Sequence, residues 1–210
     1  MSPKTLFPVA AFCFCAFAAG VAVARQDDEP RKKLYEMDMN EQMELQMQIM
    51  QLMQPGPEHE RLTTQVGSFV DETKVWMRPD ADPITIEGTS ESELILGGRF
   101  LMSRAEFSFP MLGDMEGLRM MGFDRRHGEY TIVGFDTMGT YYITAAGKWD
   151  EERQAIVLHG TDEDPFIGEQ VYDFVMEFPD EDTVKTSLIF YDMYQEGPFK
   201  LMEITSRREQ

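Results

Sequence analysis

The 210-residue sequence predicts a mainly β protein, an antiparallel up-and-down barrel of about ten strands preceded by an N-terminal helix. Three observations carry that reading. After Gly67 the apolar periodicity drops from a helical one to two. Turn-forming residues then recur at short intervals with no helical stretch between them. Finally, so many sequential strands would leave open edges unless the sheet closed on itself, which favours a barrel over a sandwich.

The N-terminus reads as an export signal over residues 1–24. Lys4 is the only charge before Arg25, every residue from Leu6 to Val23 is apolar, and Ala22-Val23-Ala24 supplies the small-x-small pattern of a cleavage site. A retained anchor is the alternative, because the run is near the lower limit for crossing a bilayer. Cleavage places the mature protein in the periplasm or outside the cell, with no membrane association. It also removes Cys13 and Cys15, the only cysteines, which excludes disulfides and thiolate chemistry from the mature chain. Of 19 basic and 38 acidic residues, only Lys4 is lost, leaving a net charge of −20. Such a surface repels nucleic acid, whose phosphates need clustered Lys and Arg.

Residues 25–33, Arg25 through Lys33, form a charged linker of disorder-prone composition. Residues 34–66 are predicted to hold a Met/Gln-rich helix over 34–54, ended by Pro55-Gly56-Pro57, and a short second helix within 58–65. Met39, Met43, Met47 and Met50 share one stripe of the long helix, and Leu45, Ile49 and Leu52 lie roughly opposite. A helix apolar on two sides wants two partners, so self-association through residues 34–54 is expected. Thioethers also bind Cu(I), but no His or Cys joins the Met stripe, and no metal site or cofactor is expected.

The barrel domain spans residues 67–207. Its predicted strands are 69–77, 84–94, 99–107, 116–122, 130–135, 141–149, 155–159, 171–178, 184–191 and 199–205. Pro79-Asp80, Gly97-Gly98, Gly113-Asp114, His127-Gly128, Asp150-Glu151, Asp180-Glu181 and Gly197-Pro198 supply turns. Parity assigns the interior. Tyr172, Phe174, Met176 and Phe178 share an apolar face, with Asp173 and Glu177 on the other. Leu101, Ser103, Ala105 and Phe107 oppose Met102, Arg104 and Glu106, and Tyr141, Ile143, Ala145 and Trp149 oppose Thr144 and Lys148.

The search for catalytic chemistry finds no nucleophile elbow, zinc helix, phosphate loop or EF-hand. His59, His127 and His159 are each expected to be exposed, with His159 pointing outward; a haem site would need one aimed inward. Asp162, Glu163 and Asp164, like Asp180 to Asp182, read as solvated turns, and Arg99 and Asp136 as turn-fixing residues.

Several segments together resemble a known family. They are Pro55-Gly56-Pro57-Glu58-His59, Gly67-Ser68-Phe69, Val75-Trp76-Met77, Ile95-Leu96-Gly97-Gly98-Arg99-Phe100-Leu101, Gly122-Phe123-Asp124, Asp136-Thr137-Met138-Gly139-Thr140 and Met202-Glu203-Ile204-Thr205. The chain is similar over roughly Met50 to Arg208 to the bacterial family called domain of unknown function 1579, thought to be similar to calycin-type, lipocalin-like barrels. The resemblance implies a fold and no activity. It also implies a ring plug at one end, packed under an arginine of the last strand, for which the matching positions are Gly67, Phe69 and Arg207. Phe69 stands where such barrels carry Trp, so a ring remains without its indole N–H.

The leading functional expectation is a binding module holding a small apolar molecule among Trp76, Leu101, Phe107, Phe135, Trp149, Tyr172, Phe174 and Met176. The alternative is a structural or interaction protein with a filled barrel and a helix that mediates assembly. An enzyme using rim carboxylates has no motif behind it.

Overall fold

A computed structural model describes residues 32–110, 112–191, 193 and 197–209. The export signal, its cleavage site, both cysteines and most of the linker lie outside these described residues. The chain divides into two compact units, Met1–Gln42 and Met43–Gln210.

In the first unit a 3-10 turn, Leu34–Glu36, precedes helix α1, Met39–Leu52, which runs on into the second unit. Asp38 caps α1: its Oδ1 accepts from the N–H groups of Asn40 and Glu41 at 2.8 and 2.9 Å, while Glu41 reaches back to the Asp38 N–H at 2.9 Å. This reciprocal box satisfies donors that a helix start leaves orphaned. No residue of α1 is buried. No helix among the described residues is long and apolar enough to cross a membrane.

The second unit is a closed ten-stranded antiparallel barrel. Its strands are β1 (Gly67–Val75), β2 (Ile84–Ile95), β3 (Phe100–Phe109), β4 (Gly113–Asp124), β5 (Glu129–Asp136), β6 (Ile143–Asp150), β7 (Ala155–Asp164), β8 (Gly168–Asp180), β9 (Thr183–Phe190) and β10 (Phe199–Arg208). Each strand pairs with its sequence neighbours, and β1 closes the ring on β10. All the strands foreseen are present, with ends that differ. Strand β7 runs five residues further, because its ladder with β8 continues through Asp162↔Gln170 to Asp164↔Gly168. The trio Asp162, Glu163 and Asp164 is therefore strand and not turn, and Asp164 Oδ1 caps the turn that follows by accepting from Phe166 and Ile167.

One end of the barrel is filled. A 3-10 turn, Pro57–His59, and helix α2, Glu60–Thr63, lead into β1 and place Leu62 in the core with Leu101, Met121, Tyr130, Ile156 and Met176. Strands ending here include β4, β6 and β10, and each contributes a tie. Phe123 meets the His59 ring edge-on at 6.1 Å, the Arg61 guanidinium lies 4.5 Å from the Trp149 ring, and Arg208 bonds the Thr64 and Val66 carbonyls. Tyr130, at the start of β5, adds a hydrogen bond from its hydroxyl to the Glu58 carbonyl at 3.0 Å. His59 is buried, against the expectation of exposure, because its Nδ1 accepts the Gly56 N–H at 3.0 Å and its ring packs into this plug.

The plug arginine is Arg208 and not Arg207. Register decides this: Arg208 pairs directly with Phe69 and so shares its inward face, whereas Arg207 pairs with Val70 and points out. Gly67 makes room for it. A Cβ there would stand 2.6 Å from Arg208 Nη1, and its φ of +127° suits glycine.

Candidate ligand-binding lumen

The residues foreseen as a binding set do not form one surface. Leu101, Tyr172, Phe174 and Met176 belong to the buried core cluster, and Trp149 packs against it at the plugged end. Leu101 and Met176 keep no accessible surface at all, which makes them packing. Phe107 is half-buried and faces inward farther along the barrel, opposite Met115 and Gly88. Trp76 sits just past β1, out of step with inward Val75, and its ring lies 5.0 Å from the Lys200 ammonium. Phe135 is a correction: it pairs with Leu118 on the outer face, stays 43% exposed and meets the Tyr142 ring at 6.0 Å. Its inward neighbour is Gly134.

What the lumen does hold is polar. In the row Gly67↔Ser92↔Ser103↔Arg119, successive residues lie side by side on the inward face of β1 to β4. Arg119 Nη2 donates to Gln65 Oε1 and to Ser103 Oγ, each at 3.1 Å, and Ser92 Oγ donates to Ser103 Oγ at 2.8 Å. Asp71 faces inward from β1, is 7% exposed, and its Oδ1 is buried without a partner. Desolvation by burial lowers the Arg119 pKa, partly offset by the field of Asp71. It nevertheless keeps some accessible surface. Both are true if the guanidinium borders a space inside the barrel. Inward residues toward the unplugged end, among them Thr73, Ser90, Ala105, Ile143 and Ile204, keep accessible surface as well.

Sequence reasoning missed this floor, although part of the signal was present. Arg119 has the parity of Met121 and Phe123, and Asp71 that of Phe69, so each breaks an apolar face with a charge. That the two share one space follows only from closure of the ring.

Two other features lie away from the Arg119 floor. An open depression of about 400 Å³ on the rim, where β2, β3 and β4 meet, is lined by Thr89, Glu106, Phe107, Asp114 and Met115, and it does not reach the Arg119 floor. On the outer face, buried Asp173 takes hydrogen bonds from the Tyr191 hydroxyl and the exposed His159 Nδ1. The bond to Asp173 raises the Tyr191 pKa. Asp173 thus faces outward as parity required, yet it is buried. His127 is exposed and bonds Asp124, whose pKa is held well below the usual carboxylate range chiefly by Arg126. Among the described residues, no three His, Cys, Asp or Glu side chains come together as a metal site. Arg99 donates to the Leu96 and Gly97 carbonyls and so fixes the β2–β3 turn, while Asp136 Oδ1 accepts the Met138 N–H at 2.9 Å.

Comparison with known proteins adds a family and a fold. The family described as "Protein of unknown function (DUF1579)" matches residues 54–208. The chain is also similar to the crystal structure of Rv2717c from M. tuberculosis, with 14% identity over 75% of this chain and 100% of that one, and a TM-score of 0.53. At that identity the likeness is one of fold. No curated protein matches.

Proposed function

Because the chain belongs to the DUF1579 family of proteins of unknown function, we propose a role from the chemistry of its lumen: it is a binding module that holds one small molecule inside the barrel. The carrying observation is Arg119, an inward guanidinium bonded to Gln65 and Ser103 that keeps accessible surface, as do inward Thr73, Ser90, Ala105, Ile143 and Ile204 toward the unplugged end. A charged donor held on an inward face with accessible surface beside it is the kind of polar group that orients a ligand in a largely apolar cavity. The bound molecule lies toward the unplugged end, against Phe107, Ile143 and Ile204, and not among Leu101 and Met176. Its apolar body meets those side chains while a polar part reaches the floor. The apolar run from Leu6 to Val23 and the Ala22-Val23-Ala24 pattern support export, which would put this binding outside the cytoplasm on a mature chain that begins near Arg25.

Native mass spectrometry of full-length protein from its own host tests the reading. A bound species of small mass is expected, and it is expected to be lost in Ala105→Trp, which fills the lumen from an inward position beside Gly117. A species retained in that variant, with the barrel still folded by circular dichroism, would place the binding elsewhere.

A second reading, an interaction protein that assembles through α1, is favoured by one observation. Met39, Met43, Met47, Met50 and Ile49 are all exposed on a helix with no buried residue. Thioether side chains adapt to a facing surface, and the occupant we propose is the same helix of a second copy.

A further inference from the structure

Topology sorts the connections of the barrel into two sets. Because the strands alternate in direction, the connections after β1, β3, β5, β7 and β9 lie at the unplugged end. Those after β2, β4, β6 and β8 lie at the end that Leu62 fills. The two sets differ in composition. At the plugged end the turns are 96–99, 125–128, 151–154 and 181–182, and Leu96 is the only large apolar side chain among them. At the unplugged end every connection brings aromatic, Leu, Ile or Met side chains. Leu112, Met138, Tyr141, Tyr142, Phe166 and Ile167 are all exposed there, Phe166 at 93%. These tips are held on fixed turns. Asp164 Oδ1 accepts the N–H groups of Phe166 and Ile167 at 2.7 and 3.0 Å, and Asp136 Oδ1 that of Met138 at 2.9 Å. Apolar surface gathered in this way marks an interaction site.

We propose that the unplugged end of the barrel docks on a lipid bilayer with zwitterionic headgroups. The form of the surface favours lipid as the occupant. Its apolar tips project from separate connections around the barrel mouth, and a fluid phase can receive such scattered points. The side-chain types fit the same phase. Tyr141, Tyr142 and the nearby Trp76 combine an apolar ring with a polar edge, which suits the headgroup level, while Phe166 and Ile167 reach beyond it. Charge selects the headgroup. Arg78 is the only Lys or Arg in these connections, against exposed Asp80 and Asp82, and exposed Asp114 and Asp136 stand at adjoining strand ends. Anionic lipid is repelled by these acids, whereas the outermost ammonium of a choline or ethanolamine headgroup complements them. The depression lined by Phe107 and Met115 opens at this same end, so an apolar molecule could pass from the bilayer to the barrel without crossing water. That last point rests on the binding-module reading, and the docking does not. The contact is peripheral, needs no spanning segment, and replaces the expectation of no membrane association.

The two tryptophans test the docking and its orientation together. Trp76 lies at the unplugged end and Trp149 against the plug. Trp149 Nε1 is buried without a partner, so Trp149→Phe loses no hydrogen bond. Full-length protein carrying Trp149→Phe or Trp76→Phe is mixed with phosphatidylcholine vesicles whose acyl chains bear bromine, which quenches a nearby indole. Quenching is expected where Trp76 remains and not where Trp149 remains, whether or not residues 1–24 are still attached. Phe166→Ser combined with Ile167→Ser is expected to weaken the titration at least about tenfold. Leu96→Ser should leave it unchanged, and replacing half the lipid with phosphatidylglycerol at low salt should weaken it. Equal quenching of both tryptophans, quenching of neither, or quenching that survives the double substitution overturns the proposal. A dimer in sedimentation that the double substitution abolishes, without quenching, gives this face to a second copy instead. A small bound species in native mass spectrometry without quenching sinks the docking alone, and quenching without such a species sinks the lumen reading alone.

Discussion

The guanidinium of Arg208 lies over the Phe69 ring, 4.8 Å from its centroid, and joins the last strand to the first across the barrel's closure. The same group donates to the Thr64 and Val66 carbonyls and to Asp182. Arg208→Ala therefore removes a ring contact and charge-assisted bonds together, a loss of about 2–3 kcal/mol. Arg207→Ala, one residue away on the outer face, should stay within about 0.5 kcal/mol. Urea unfolding of the two variants checks this. Equal losses would return the plug role to either arginine.

Phe174 belongs to the core cluster, edge-on to Tyr172 at 5.8 Å. Phe174→Ala should cost about 3–5 kcal/mol. Parity alone puts Asp173 on the outer face, where Asp173→Ala would be nearly neutral. Its burial, and its bonds to His159 and Tyr191, raise that expectation to about 1–3 kcal/mol. Chemical denaturation that finds Asp173→Ala within about 0.5 kcal/mol would show that the outer-face triad contributes nothing.

Burial lowers the His59 pKa from its ordinary value of 6.5, so the folded state holds the ring neutral. In the window below 6.5 the unfolded chain binds the proton and the folded chain does not, and stability therefore falls with pH. The contribution is complete above about pH 6.5 and is lost as the pH drops toward the lowered folded value. Urea midpoints at about pH 7.5 and 5.5 should show a larger drop for the native protein than for His59→Asn, which cannot charge there. Equal drops would take His59 out of the account.

Arg125 Nη1 donates to the Gln51 and Gln54 carbonyls at 2.7 and 3.2 Å, and Arg99 Nε to the Met53 carbonyl at 3.1 Å. These side chains cap the C-terminal end of α1, where carbonyls lack helical partners. Deleting residues 25–54 should leave a folded β domain, because the ring closes through β1 and β10 without it. The same deletion should abolish any oligomer seen by sedimentation. A full-length protein that sediments as a strict monomer would remove the assembly reading.

The strand count, the hairpin order and the apolar faces of β3 and β8 were legible in the sequence, because alternation is a property of neighbouring residues and needs no partner. Tyr172, Phe174 and Met176 face in as their parity required. The helix predicted over 34–54 begins only at Met39, where Asp38 and Glu41 form the capping box. Where two candidates differ by one position, as Arg207 and Arg208 do, local pattern has nothing to choose with, and register against Phe69 chooses.

The ends of β4 and β7 depended on how far each neighbour extends, and Phe135 was misplaced because its inward neighbour is a glycine with no side chain to reveal the face. The sequence alone therefore determined an acidic, antiparallel β chain with an amphipathic lead-in, since composition and periodicity are written residue by residue. Only the tertiary structure decided that Arg119 of β4, Ser103 of β3 and Gln65 beyond α2 meet inside the barrel. Closure of a ring brings together residues far apart in the chain, and no local pattern records which of them will share its interior.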